Sequence, residues 1–119
     1  MKLMLKIPDA TLNRYIGAER KNKFYGATLK KRETDSAAEQ IKIAMLAGTR
    51  FTWPARLKFI WHLKNSRTDP DNIAFTKKFI LDGMQDCGFL ENDNVKNITG
   101  FTDDFIVDGK NIVEIQEIH

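Results

Sequence analysis

Apolar and polar residues alternate with period two at the start of the chain. In KLMLKI, residues 2–7, Leu3, Leu5 and Ile7 fall on one side and Lys2, Met4 and Lys6 on the other, which predicts a half-buried strand ended by Pro8 and Asp9. TLNRYIGAERK then reads as a first helix, and a second helical stretch falls between Lys23 and Leu46, with Gly48 as its stop. Ser36 and Glu39 stand at capping-box spacing just before Ile41, Ala44 and Met45, so Ser36 either opens a helix or lies inside one long one. Arg56 to Lys64 is the clearest strand, with Leu57, Phe59, Trp61 and Leu63 on one face and Arg56, Lys58, Ile60, His62 and Lys64 on the other. Asn72 to Asp86 predicts a helix whose apolar stripe is Ile73, Ile80, Met84 and Cys87, closed by Gly88. Asn94 to Val107 and Asn111 to Ile118 read as two strands joined at DGKN as a hairpin. The expected fold is α+β, a single domain of 119 residues with a mixed β-sheet packed by helices.

Charge changes this picture because it is unevenly spread. Residues 1–67 carry fifteen Lys and Arg against five Asp and Glu, while residues 68–119 carry four against eleven, within a net charge of +3. The basic half fits either a polyanion partner or a solvated lysine-rich helix face. No apolar run approaches the roughly 20 residues that span a bilayer, and the opening run is too short for a secretory signal; the expectation is a cytoplasmic protein with no membrane partner. Cys87 is the only cysteine, which excludes an internal disulfide and a cysteine-based zinc site.

The candidate chemistry lies in RTDPDNIAF, residues 67–75. Pro70 disfavours helical angles at Asp69, and in an extended segment Asp69 and Asp71 face the same side, where two carboxylates can share a cation. Asp71 or Asn72 could instead cap the following helix, the better reading for an isolated DxD. An EF-hand is excluded, because with Asp69 at the first loop position Ala74 stands where glycine is needed and Ile80 where the bidentate glutamate is needed. Glu91 and Asp93 form a second acidic group in LENDN. Lys78 falls seven residues after Asp71, on nearly the same helical face, with Asp82 at i+4; it reads as a surface ion pair or as a cation beside a reacting phosphate. His62, on the polar strand face near the acids, reads as a surface or hydrogen-bonded residue and not as a ligand, and His119 is terminal. No Ser, His and Asp constellation and no glycine-rich phosphate loop is present.

The pattern DPDN, Lys78, ILD at 80–82, Gly88 and NDN at 92–94 resembles the RusA family of Holliday junction resolvases, most closely its phage or prophage branch. The motifs cover roughly residues 56–98, and the start KIPDATLNRYIGAERKNKFYGA is also similar to the family's amino-terminal region. The resemblance implies that Asp69, Asp71 and Asp93 bind Mg²⁺, with Mn²⁺ as an accepted substitute, that Lys78 is the essential lysine and that Asn72 supports the motif. It further implies a homodimer that nicks four-way DNA junctions symmetrically in recombination and repair, a two-fold enzyme on a substrate of approximate two-fold symmetry. One departure stands out: the family's commonest form has its lysine four residues after the second aspartate, so Lys78 implies a three-residue insertion. On this reading Arg14, Arg20, Lys21, Lys23, Lys30, Lys31 and Arg32 contact DNA phosphates. Phe24 and Tyr25 sit among them, as candidates for base stacking or for packing in a core or dimer seam. The alternatives are a catalytically silent DNA-binding dimer and a nuclease for other branched DNA.

Overall fold

Both alternating segments form strands, and their apolar sides face the same layer of helices. The computed structural model describes residues Met1–His119. Along the chain run β1 (Lys2–Lys6), α1 (Leu12–Lys21), α2 (Lys23–Leu46), β2 (Ala55–Leu63), α3 (Pro70–Ala74), α4 (Lys77–Asp86), β3 (Ile98–Val107) and β4 (Ile112–Ile118). The strands make one mixed sheet in the order β1-β4-β2-β3, so the fold is the expected α+β domain. No helix is long and apolar enough to cross a membrane.

β2 is the centre of the sheet's energetics. Its alternate residues Leu57, Phe59 and Trp61 are fully buried, and in register with them β4 presents Val113 opposite Trp61 and Ile115 opposite Phe59. β1 extends the same layer through Leu3 opposite Ile115 and Leu5 opposite Val113. Each such side chain contributes about 1.5–3 kcal/mol by leaving water, which offsets the entropy of ordering the strands. The other face of the sheet carries Lys58, Ile60, His62 and Glu114, all only half-buried.

The final two strands do not form the expected hairpin. β4 lies between β1 and β2 and runs antiparallel to both, while β3 pairs with the far side of β2 and runs parallel to it. The turn at Asp108 and Gly109 therefore passes over the end of β2, and both amides donate to the Leu63 carbonyl. Gly109 takes φ +82°, the left-handed conformation that glycine adopts without steric cost in such a turn. The turn signal is local, whereas strand order is decided by which partner buries Val113 and Ile115 on both sides.

Two further boundaries differ from expectation. Ser36 lies inside a single 24-residue α2, where Thr34, Ala37, Ala38 and Ile41 make the buried stripe at helical spacing. The helix expected over 72–86 is two, α3 beginning at Pro70, whose missing N–H is harmless at the first helical position, and α4 beginning at Lys77. β3 starts only at Ile98, because residues 94–97 form a turn in which the Asn97 and Ile98 amides donate to the Asn94 carbonyl.

α2 crosses α4 where small residues allow it. A Cβ on Gly83 would stand 2.9 Å from the Ala38 amide nitrogen and 3.0 Å from the Ala37 Cβ. Gly17 in α1 is the opposite case, since a Cβ there meets nothing within 4 Å. Helix propensity alone favours alanine at both, by up to about 1 kcal/mol. We expect Gly17→Ala to raise stability by up to about that amount, and Gly83→Ala to lower it by about 1–3 kcal/mol through overpacking, both read from the midpoint of urea unfolding. Equal stabilisation by the two substitutions would refute the close helix crossing.

Candidate functional site

The acidic motif follows the end of β2. Asp69 is extended, at φ −66° and ψ 147°, and occupies the position before α3 without using its side chain to cap an amide. Asp71 is not extended, as the same-side argument assumed, but lies in the first turn of α3. The two carboxylates therefore flank the opening of one helix instead of sharing one side of a strand. Both residues are exposed, and neither enters an ion pair.

Asn72 does what its neighbours do not. It is buried, and its Oδ1 accepts from the Asn13 amide at 3.1 Å, which ties the first turn of α1 to the acidic motif. Tyr15 completes the joint: its ring lies 5.6 Å from Phe75 and 5.9 Å from Phe79, and those two rings meet edge to face. Neither contact was foreseen; the signal available was an Asn beside two aspartates in a motif whose next residue, Ile73, is buried.

Asp93 lies elsewhere. The Trp53 indole donates to the Phe89 carbonyl at 3.2 Å, and Phe51 packs on Phe89 with ring centroids 4.9 Å apart, so the chain after α4 is fastened to the beginning of β2. The Ala55 amide donates to Asn97, at the same end. Asp93 is exposed there, its amide donating to the Gln85 side chain. Asp69 and Asp71 follow the other end of this nine-residue strand, which at about 3.3 Å per residue is close to 30 Å long. One copy of the chain thus brings Asp69 and Asp71 together and leaves Asp93 apart, and no group of three His, Cys, Asp or Glu residues is placed to hold a metal ion.

The two neighbouring lysines have different surroundings. Lys77 is nearly buried; its Nζ donates to Asp103 Oδ2 at 2.7 Å and lies 4.4 Å from the centre of the Phe101 ring and 5.0 Å from that of Phe59. Asp103 also accepts from the Trp61 indole at 2.9 Å. This network pins α4 to β3. Lys78 is about half exposed, and its amide donates to the Phe75 carbonyl while the Phe75 amide donates to Asp71. Its Nζ is 3.9 Å from Asp82, which Lys30 also approaches at 3.9 Å. Of the two, Lys78 is the more exposed, and it shares Asp82 with Lys30.

Pairing also sorts the basic residues. Lys31 joins Asp35 at 2.9 Å and Arg32 joins Glu33 at 3.4 Å, so with Lys30 three of the seven candidate phosphate contacts have carboxylate partners. Hydrogen bonding to Asp35 holds the Lys31 ammonium above its ordinary range. Arg14 donates to the Asp9 carbonyl. Arg20, Lys21 and Lys23 are exposed at the elbow between α1 and α2 without a carboxylate partner, beside Phe24 and Tyr25, which are 76% and 55% exposed and so are not core residues.

His62 has a partner that the sequence did not suggest. Its Nδ1 lies 2.6 Å from Asp108 Oδ2, in the turn that crosses the end of β2. The hydrogen bond to His62 holds the Asp108 carboxyl below the usual carboxylate range, against the upward push of burial and with further help from the Lys110 amide.

No family model matches the chain, and no curated protein matches it.

Two outcomes follow from these contacts. Lys77→Ala strands Asp103 and should cost about 3 kcal/mol, whereas Lys78→Ala should stay within about 0.5 kcal/mol, both measured by denaturant unfolding. Asp108, with its depressed pKa, adds stability above the unfolded carboxylate range that is lost as pH falls through its folded value. Asp108→Asn should therefore flatten the stability curve below about pH 4, and an unchanged acid limb would remove the pair from the account.

Proposed function

We propose that the chain is a Mg²⁺-dependent endonuclease for branched DNA, acting on four-way junctions as a homodimer. The observation that carries this reading is the pair Asp69 and Asp71: two exposed carboxylates beside one helix opening, neither used for capping nor paired with a cation, in a chain whose net charge is +3. Mg²⁺ is commonly held by one or two carboxylates, with water and substrate phosphate completing its shell, so the donor set fits the ion without a third acid. When bound, the ion supplies an activated water and neutralises charge on a phosphate oxygen.

The chain's own residues supply orientation and charge around that point. Asn72 anchors the acidic turn to the first turn of α1, the helix that carries Arg14, Arg20 and Lys21. Arg20, Lys21 and Lys23 extend the positive surface to the far end of α1 and would take backbone phosphates, giving binding that weakens steeply with salt. Lys78, the exposed lysine of the two, would offset negative charge developing on the phosphate. Asp93 belongs to this reading where a second copy delivers it to the Asp69 and Asp71 pair.

The separation of Asp93 within one copy favours a second reading, a DNA-binding dimer without cleavage. A synthetic four-way junction separates the two. We expect paired nicks that require Mg²⁺, little cutting of linear duplex, and a loss of about 100-fold or more in Asp71→Asn with junction binding kept. Binding without nicks at any Mg²⁺ concentration would leave the silent dimer. If Asp93 acts across the dimer, Asp71→Asn and Asp93→Asn chains should each be inactive alone and should recover single nicks when mixed.

A further inference from the structure

A concavity lies between the helices of the basic elbow. A cleft of about 390 Å³ is lined by Arg14, Gly17, Ala18, Lys21, Tyr25 and Leu29. Four of these stand at positions 14, 17, 18 and 21, one face of α1, and the other two are a turn apart on α2. The lining is chemically divided. Arg14 and Lys21 place a cation at each end, about 10 Å apart along the helix axis, while Gly17 and Ala18 leave a shallow floor and Tyr25 and Leu29 form an apolar wall. No acidic side chain lines it.

The cleft is built on fixed backbone. The Asn22 side chain accepts from the Tyr25 amide at 2.9 Å and so holds the first turn of α2. Gly26, the next residue, is buried against α1, where an added Cβ would stand 2.6 Å from the Glu19 Cγ. The ring is thus anchored at its backbone yet 55% exposed, and Phe24 beside it is 76% exposed, the most solvent-accessible aromatic positions in a chain that buries Phe59, Phe79 and Trp61 completely. A duplex would use the cations alone, and an acidic peptide would need no flat apolar wall. A nucleotide freed from its stack uses both, its base against an aromatic face and its flanking phosphates on the cations.

We infer that the α1–α2 cleft receives one unstacked nucleotide at the branch point of the DNA, with Tyr25 stacking on the base and Arg14 and Lys21 holding the adjacent phosphates. This rests on the branched-DNA reading above. It adds a reason for preferring a branch over a duplex, since only interrupted stacking offers such a nucleotide without first opening base pairs.

The test measures binding in EDTA, so that cleavage plays no part, using a four-way junction carrying 2-aminopurine at the branch, a linear duplex and a single-stranded oligonucleotide. Tyr25→Ala should weaken junction and single-strand binding by about tenfold and leave duplex binding unchanged. Gly17→Leu fills the cleft from a position where a Cβ meets nothing within 4 Å, so it should fold normally, show an unchanged or raised melting temperature, and lose the same junction preference. Both variants should abolish the change in 2-aminopurine fluorescence on binding. Junction binding and fluorescence equal to the parent chain in both variants, with the parent still preferring and cutting junctions, would overturn the cleft and leave the nuclease reading intact. Tyr25-dependent single-strand binding in a chain with no preference for junctions would support the cleft and overturn the junction reading. A polyglutamate peptide that displaces the oligonucleotide equally well from the parent and from Tyr25→Ala would overturn the base-stacking role.

Discussion

β2 and β3 run parallel side by side, and a parallel pair cannot be closed by a tight turn. The chain that leaves β2 at Leu63 must travel the length of the sheet before β3 can begin beside Ala55, and α3 with α4 makes that journey. Everything at the candidate site inherits this constraint. Residues immediately after β2, including Asp69 and Asp71, stand at one end of the sheet; residues immediately before β3, including Asp93, stand at the other. Acids that stand within 25 residues of one another in sequence are thus split between the two ends of the sheet by the crossover.

The crossover is held down by polar contacts as well as by the burial of Phe79, Ile80 and Met84. Lys77 at the start of α4 reaches Asp103 on β3, and Asp103 takes the Trp61 indole as well. Neither charge is left without partners: the ammonium has a carboxylate and two ring faces, the carboxylate an ammonium and an indole N–H. Such a pair adds little over a well-packed apolar substitute, but losing one member leaves a charge in a poor solvent. Its main effect is specificity, since it sets the position of α4 relative to β3 and hence the end of the sheet to which residues 89–94 return. It also separates two adjacent lysines, one held between α4 and β3 and one half exposed beside Asp82.

The local rules recovered much of this. Strands β1 and β2 were legible because period-two alternation reports a sheet with one buried face, and Gly48, Gly88 and Gly109 were legible as stops because each takes positive φ. The separation of β3 from β4 was not legible, and the expected hairpin does not form. Asp108 and Gly109 signal a turn but carry no information about which strand lies beneath it, and β4 gains more by inserting between β1 and β2, where Val113 and Ile115 are wholly buried. The helical state of Asp71 was missed for a related reason: Pro70 restrains the residue before it but is itself a good first helical residue. At the site, the acidic pair and its supporting asparagine could be seen in DPDN. The isolation of Asp93, the approach of Lys30 to Asp82 and the His62–Asp108 contact could not, because each depends on elements brought together by strand order or helix packing.

Partnership is what separates structural from available charge in this molecule. In the middle of α2, Lys31 and Arg32 sit one turn and one residue from carboxylates, Asp35 and Glu33, and are paired within the fold. At the α1–α2 elbow three cations have no such neighbour, and the two aromatic rings beside them are exposed. At the other end of α1 the two aspartates are equally unspent. The Asn13–Asn72 bond and the Tyr15 rings make α1 the rigid link between these two regions, so the free anions and the free cations keep a fixed separation of about the helix's 15 Å length. In the function proposed above, that spacing would let one DNA strand lay its phosphates on the cations of the elbow while the aspartates, at α3 beside the other end of α1, hold the metal ion.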